Sequence, residues 1–295
     1  MKKIKEILKK TIYISLAVIV SFMSFSCTDS ESSKNTKMNY SDDSDISYET
    51  PINLNICSYN IGLFNHGLKG GYSGDDVEEQ INNIKEFIAA NDFDIMCLQE
   101  NTQYIDSDQS IGSDVRLLSR AFMYNYRGKC NLTMSSKYPL SQKTTDFFKK
   151  EYLNSKCGYI KATTTINGKD ITILSCHLAW QKDAAKTRKI QMQEIIEMLE
   201  DEERVILFGD WNVATTSEFD TLEDAGYRSI NGSYLPLKRT FNYKQDYSES
   251  ADESNDRYFD NILIKGIFVG SLKVHEVYDQ LISDHLPISA KISLE

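Results

Sequence analysis

Several signatures are missing from this 295-residue chain, and each absence closes off a chemistry. There is no GxGxxG and no GxxxxGK[ST] around the glycines between Gly62 and Gly74, so a nucleotide-cradling loop is not expected there. No GxSxG occurs, which removes the Ser-His-Asp hydrolases built on a nucleophile elbow. No CxxC pair suggests a zinc site. Basic residues are outnumbered, 33 Lys and Arg against 43 Asp and Glu, for a net charge of −10. That excludes a broad basic surface holding nucleic acid by counterion release. It leaves room for a few lysines, arginines or a metal ion beside a phosphate. No internal repeat of 20 to 50 residues is visible, and the apolar stretch Thr11 to Phe25 is too short for a spanning helix.

What is present divides the chain into three. Lys2, Lys3, Lys5, Lys9 and Lys10 precede that apolar stretch, and Ser26-Cys27 follows it. Residues 1–26 therefore resemble a bacterial lipoprotein signal that leaves Cys27 as a lipidated N-terminus, although Ser24 stands where Leu is usual. An ordinary secretory signal is the alternative. Both put the mature protein outside the cytoplasm, and the lipid would anchor it to the membrane of the cell envelope. Residues 27–50 are polar and acidic, the composition of a disordered tether. Residues 51–295 carry the apolar content of a folded domain, the chain as a whole being 41% hydrophobic. Five cysteines follow Cys27, an odd count that leaves at least one thiol unpaired. Cys57, Cys97 and Cys176 fall in predicted strands as small buried hydrophobes. Cys130 with Cys157 is the one pair to test as a disulfide.

The domain reads as strands that end in polar residues. Ile52 to Asn60 alternates so that Leu54, Ile56, Ser58 and Asn60 share a face. Val77, Ile81, Ile84 and Ile88 recur at helical spacing, with Asp75 or Asp76 at the helix start. Phe93 to Gln99 is an apolar strand that runs into Glu100. Asp114 to Ser119 suggests a short helix, and Asn131 to Ser136 and Ser141 to Phe147 suggest strands either side of Tyr138-Pro139. Gly158 to Ile166, the Asn167-Gly168 turn and Asp170 to His177 form a hairpin. Asp183 to Glu200 is helical. Val205 to Phe208 is a strand buried on both faces, followed by Gly209, Asp210 and Asn212. This end reads either as a catalytic rim or as a plain Asx turn. Asp224 to Asn255 is polar and loop-rich, with Thr240-Phe241 as its anchor. Asp260 lies in a further strand, and Asp284-His285 precede a last one at Ile288 to Ile292. This order of elements suggests sheets packed on one another and covered by helices.

The polar strand ends share a chemistry. Oxygen ligands from Glu100, Asp284, Asn60 and Asp210 suit Mg²⁺ or Mn²⁺ better than zinc. A histidine with a carboxylate partner is a proton donor or phosphate clamp. Together they fit direct attack of water on phosphorus.

The motifs SYNI, CLQE, SCHL, GDWN, YFDNILI and SDHLPI, in that order, resemble the endonuclease/exonuclease/phosphatase superfamily over residues 51 to 295. The resemblance implies an α/β fold, a four-layered α/β/β/α sandwich of two mostly antiparallel sheets packed face to face. It implies Glu100 as the main Mg²⁺ ligand, with Asn60 and Asp284 nearby. Asp210 would orient or deprotonate the attacking water, and Asn212 would hold that water or a phosphate oxygen. His285, oriented by Asp260, would stabilise the transition state, and His177 would contact the phosphate. Arg188 and Gln191 resemble a structural pair. The sequence departs from the family at Leu132, where Asn is usual, which bears on what orients His177. The implied substrate is a phosphate ester: a nucleic acid first, then a phospholipid head group or a small sugar or inositol phosphate. A non-catalytic surface lipoprotein that kept the fold is the competing class.

Overall fold

The computed structural model describes residues 51–62, 74–101, 121–242, 259–277 and 283–294, with the side chains of 74–81 excepted. The signal, the tether, the helix expected at Asp114 to Ser119 and the start of the Arg257 strand lie outside these residues.

Among the described residues, twelve strands make two six-stranded sheets. The first has the order β11-β12-β1-β2-β4-β3, where β1 is Ile52–Asn60, β2 Ile95–Gln99, β3 Tyr124–Arg127, β4 Thr133–Ser136, β11 Phe268–Val274 and β12 Ile288–Leu294. The second has the order β5-β6-β7-β8-β10-β9, with β5 Ser141–Phe147, β6 Gly158–Ile166, β7 Lys169–His177, β8 Val205–Asp210, β9 Arg228–Ser229 and β10 Asp260–Lys265. All neighbours are antiparallel except one pair in each sheet, β1 with β2 and β7 with β8. A parallel pair needs a crossover. Helices supply both: α1 (Gly74–Asn91) between β1 and β2, and α2 (Ala185–Met198) between β7 and β8.

The period-two alternation of the strands builds the layers. Leu54 and Ile56 of β1, Ile171 and Ile173 of β7, Ile206 and Phe208 of β8 and Ile262 and Ile264 of β10 meet in one fully buried core between the sheets. Their outward neighbours meet the helices. Tyr59, Met96 and Leu98 pack with Ile84, Phe87 and Ile88 of α1. Leu174, Cys176 and Leu207 pack with Met192 and Ile195 of α2. Each such apolar side chain contributes roughly 1.5–3 kcal/mol on burial. The result is the expected four-layered α/β/β/α sandwich.

Local chemistry fixes several boundaries. The β6–β7 hairpin closes through two residues, Asn167 and Gly168, both at positive φ (48° and 75°), as a right-twisting two-residue turn requires. Gly209 allows β8 to lie against β7, because a Cβ there would come 2.9 Å from both the carbonyl oxygen and the sulfur of Cys176. The chain changes sheets at Tyr138-Pro139, since β4 belongs to the first sheet and β5 to the second. Cys57, Cys97 and Cys176 are fully buried, and burial holds their thiols protonated. Cys130 and Cys157 are both free thiols in this structure.

Candidate active site

The inter-sheet core turns polar at one end. Toward that end the inward-facing residues pass from apolar to polar: Ile56, Ser58 and Asn60 in β1, Ile173, Ser175 and His177 in β7, and Phe208 then Asp210 in β8. Gln99 of β2 donates from Nε2 to Ser58 Oγ of β1 at 3.2 Å and to Ser175 Oγ of β7 at 3.1 Å, forming a floor that joins the two sheets. One alternation further on lie Asn60 at the end of β1 and His177 at the end of β7. Asp210 at the end of β8 faces Asp260 at the start of β10. His177, Asp210 and Asp260 occupy one row of the second sheet, so their spacing is set by backbone pairing.

Asp210 is the hub. It is 1% exposed, and its Oδ2 accepts from Asn60 Nδ2 at 2.9 Å, across the junction between the sheets. The Nε2 atoms of His177 and His285 converge on the same oxygen, at 3.4 and 3.6 Å. Its other oxygen, Oδ1, accepts from the backbone N–H of Asn212 at 3.0 Å. Asn212 sits at φ 51°, a conformation Asn tolerates, and its side chain donates to Leu178 O at 3.2 Å. The end of β8 is therefore an Asx turn and the rim of the site at once.

Glu100 reaches the site against the alternation. Gln99 faces inward, so the next side chain of a regular strand would face out. Glu100 leaves the strand at φ 54°, and this left-handed turn brings its carboxylate back to Asn60, whose Nδ2 donates to Oε1 at 3.1 Å. Such a conformation in a non-glycine residue costs about 1–3 kcal/mol and is held only where surrounding contacts demand it. Oε2 of Glu100 is buried with no hydrogen-bond partner among the described residues. An orphaned carboxylate oxygen beside a second carboxylate fits a divalent cation. Glu100, His177 and Asp210 lie within 4.8 Å of one another through one ligand atom each, as do Asp210, Asp260 and His285.

Asp260 Oδ2 lies 2.8 Å from His285 Nδ1, which fixes the ring with Nε2 facing Asp210. Burial alone pushes the His285 imidazole toward neutrality. The carboxylates of Asp260, Asp210 and Asp284 outweigh it and hold the pKa well above the usual histidine value. Asp260 is itself pushed up to about 6, first by burial and against the pull of His285. With three carboxylates around it, the imidazole is the member of the pair that keeps the proton. Phe259 covers the ring, with centroids 5.4 Å apart. The Thr240-Phe241 anchor is real: Thr240 Oγ1 accepts from Asp260 N, and Thr240 O accepts from Leu286 N.

The whole chain segment from Cys57 to His285 matches the Endonuclease/Exonuclease/phosphatase family, residues 57–285. The chain belongs to this family. Its members' fold recurs among solved structures. A Danio rerio TDP2 complexed with single-strand DNA product superposes with a TM-score of 0.61 at 16% identity, covering 81% of this chain and 98% of that one. The human nocturnin catalytic domain with a bound sulfate anion gives 0.62 at 17%, covering 83% and 97%. A Bacteroides thetaiotaomicron mannosyl-6-phosphatase gives 0.58 at 17%, covering 81% and 99%. A search of curated protein sequences finds no significant match. Family membership makes the chain a phosphoric ester hydrolase.

In this family member the expected residues gather unevenly. Asn60, Glu100, His177, Asp210, Asp260 and His285 share one pocket. Asp284 stands at its edge, half-buried, with Oδ1 3.9 Å from His285 Nε2, and belongs to neither compact acidic group. Leu132 is buried in the inter-sheet core, and among the described residues neither ring nitrogen of His177 makes a hydrogen bond. Ser283 was not singled out by the sequence. Its Oγ donates to Asn60 O at 2.8 Å and accepts from His285 N at 3.1 Å, stapling the His285 turn to the end of β1. A hydroxyl two residues before the histidine is the signal that could have found it.

Proposed function

We propose that this family member is a Mg²⁺-dependent phosphodiesterase of nuclease type, hydrolysing its ester by direct attack of water. The observation that carries the reading is the convergence on Asp210 Oδ2 of Asn60, His177 and His285, with His285 backed by Asp260. Glu100, flanked by Asn60 and Asp284, would hold the Mg²⁺, with Mn²⁺ a possible substitute, and the ion would neutralise charge on the phosphate. Asp210 orients water and takes its proton as oxygen attacks phosphorus. His285, protonated and aimed by Asp260, donates through Nε2 to a phosphate oxygen as the P–O bond to the leaving group breaks. His177 faces the same space and steadies the phosphate. Asn60 keeps the two carboxylates at a fixed separation by donating to both. Asn212, whose backbone sets the Asp210 rotamer, presents its remaining amide oxygen to the water.

The test is a substrate panel of single- and double-stranded DNA, RNA, sphingomyelin and sugar phosphates, assayed in Mg²⁺ and in EDTA. The expected result is diester cleavage that EDTA abolishes and that Asp210→Asn lowers by about 10²–10⁴-fold. No hydrolysis of any member, together with no divalent-ion binding by calorimetry, would overturn the reading. Preference for a phospholipid or a sugar phosphate would redirect it within the family. The N-terminal sequence supports display of this activity at the cell envelope through a lipid on Cys27.

A further inference from the structure

Two tryptophans occur in the chain, and they are used in opposite ways. Trp211 is fully buried and donates from Nε1 to Asn261 O at 3.0 Å. Trp180 is 64% exposed, three residues beyond His177. The residues on either side of it are nevertheless tied to α2. Arg188 donates to the carbonyls of Ala179 and Gln181 on either side of it, both at 2.9 Å. Gln191 Oε1 accepts from Ala179 N at 3.2 Å. A large aromatic ring is thus presented to solvent on a fixed loop beside the site, at a substantial cost in unburied apolar surface.

The same Gln191 leads away from the site. Its Nε2 donates to Lys150 O at 2.9 Å. Lys149 and Lys150 form one wall of a groove of about 700 Å³ whose other wall is α2, with Lys186 and Lys189. Glu194 accepts from the backbone N–H groups of Lys149 and Lys150, at 2.9 and 3.0 Å, which folds that turn onto α2. Four exposed lysines therefore gather against Glu194 and Glu197, on a chain whose net charge is −10. Phe147 at the end of β5 pairs with Gly158, and Gly158 with His177, so the turn that carries Lys149 and Lys150 leaves the sheet at the same end as the catalytic residues.

We infer that Trp180 and this groove form a subsite for a single-stranded nucleic acid leading away from the scissile phosphate. A base stacks on Trp180, and the following backbone phosphates lie along Lys149, Lys150, Lys186 and Lys189. The inference rests on the phosphodiesterase reading of the site and adds to it the substrate class and the direction of the strand. Stacking on an aromatic ring beside a positive track is the pairing that holds single strands without regard to sequence.

The experiment is equilibrium binding of the full chain in EDTA, so that no turnover is involved, followed by tryptophan fluorescence. Trp211 is shielded, so the change reports Trp180. Oligothymidylate is expected to quench the signal and to protect it from acrylamide. Read by the anisotropy of a fluorescein-labelled oligothymidylate, Trp180→Ala weakens binding roughly tenfold, and Trp180→Phe restores most of it. Lys186→Gln with Lys189→Gln lowers the slope of log affinity on log salt by about 1.4. Equal binding of an abasic oligonucleotide, or no weakening in Trp180→Ala, would overturn the inference. So would protection of Trp180 by sphingomyelin vesicles in place of oligothymidylate, which would assign the ring to a lipid surface. Hydrolysis of bis(4-nitrophenyl) phosphate in Mg²⁺, and its loss in Asp210→Asn, reads the catalytic assignment separately.

Discussion

Replacing Arg188 by methionine removes a buried charge that four interactions hold in place. The side chain is 1% exposed, and its Nε and Nη2 meet the two oxygens of Glu218 at 2.7 and 3.0 Å as a fork on a fork. Its Nη1 serves the carbonyls of Ala179 and Gln181. Methionine fills most of the volume but leaves the half-buried Glu218 carboxylate without its counter-charge and two carbonyls short of a donor. Breaking a buried pair from one side costs about 3–5 kcal/mol, against about 0–1 for an exposed pair. For a domain of this size that lowers the thermal midpoint by roughly 6–20 °C. Lysine, a point charge without the fork, is expected to recover less than half. Adding Glu218→Gln to Arg188→Met removes the stranded charge and should return part of the loss. Urea unfolding of wild type, Arg188→Met, Arg188→Lys, Glu218→Gln and the double variant, followed by far-ultraviolet circular dichroism, measures both the loss and the coupling. A loss below about 1 kcal/mol, or strict additivity of the two changes, would refute the claim that this network fixes the loop after His177.

Three further outcomes are expected, two from the geometry and one from the N-terminal sequence. Asp260→Asn, which keeps the shape but not the charge behind His285 Nδ1, is expected to reduce kcat by about 10²–10⁴-fold in steady-state assays with little change in KM. His275 is buried against Phe87 and Phe93 and bonded to Ser289 Oγ at 2.8 Å, and burial followed by Lys273 lowers its pKa to about 4 from 6.5. The unfolded chain then binds the proton first, so stability is full above about pH 6.5 and falls as pH drops toward 4, by up to about 3 kcal/mol. Comparison of the unfolding free energy of wild type and His275→Gln across that window isolates the term, and a parallel pair of curves would contradict it. Cys27→Ser is expected to move the protein from the membrane to the soluble fraction of cells labelled with a fatty-acid probe, with loss of the label.

How far the sequence could be read depended on what each residue's position obeys. Alternation alone placed Asn60 on the face of Leu54 and Ile56, and the apolar runs before them put His177 and Asp210 at strand ends. The Asn167-Gly168 hairpin was equally plain, because two residues at positive φ leave little choice of turn. Arg188 and Gln191 were recognisable as a structural pair, and the structure explains the role: together they pin Ala179. Glu100 was visible as the carboxylate that follows an apolar strand, but its approach to the site was not, since that depends on a single left-handed residue that no periodicity reports. The two readings of the β8 end proved compatible, as one carboxylate has two oxygens and uses one for the turn. The change of sheet at Tyr138-Pro139 was not legible, because a Pro turn between two strands looks the same whether the strands pair or part. Nor was the grouping of His177 with Glu100 and Asp210, in which Asp284 does not share, since it depends on how the two sheets meet.

That meeting has a consequence for how the protein acquires activity. The contacts that define the pocket join residues far apart in the chain: Asn60 to Asp210 over 150 positions, and Ser283 to Asn60 over 223. Each sheet can form its local hairpins without them. Closing loops of that length is slow and comes after local structure. On refolding from denaturant, the circular dichroism of the strands should therefore return before hydrolysis does. Catalytic competence in this chain marks the moment its halves dock.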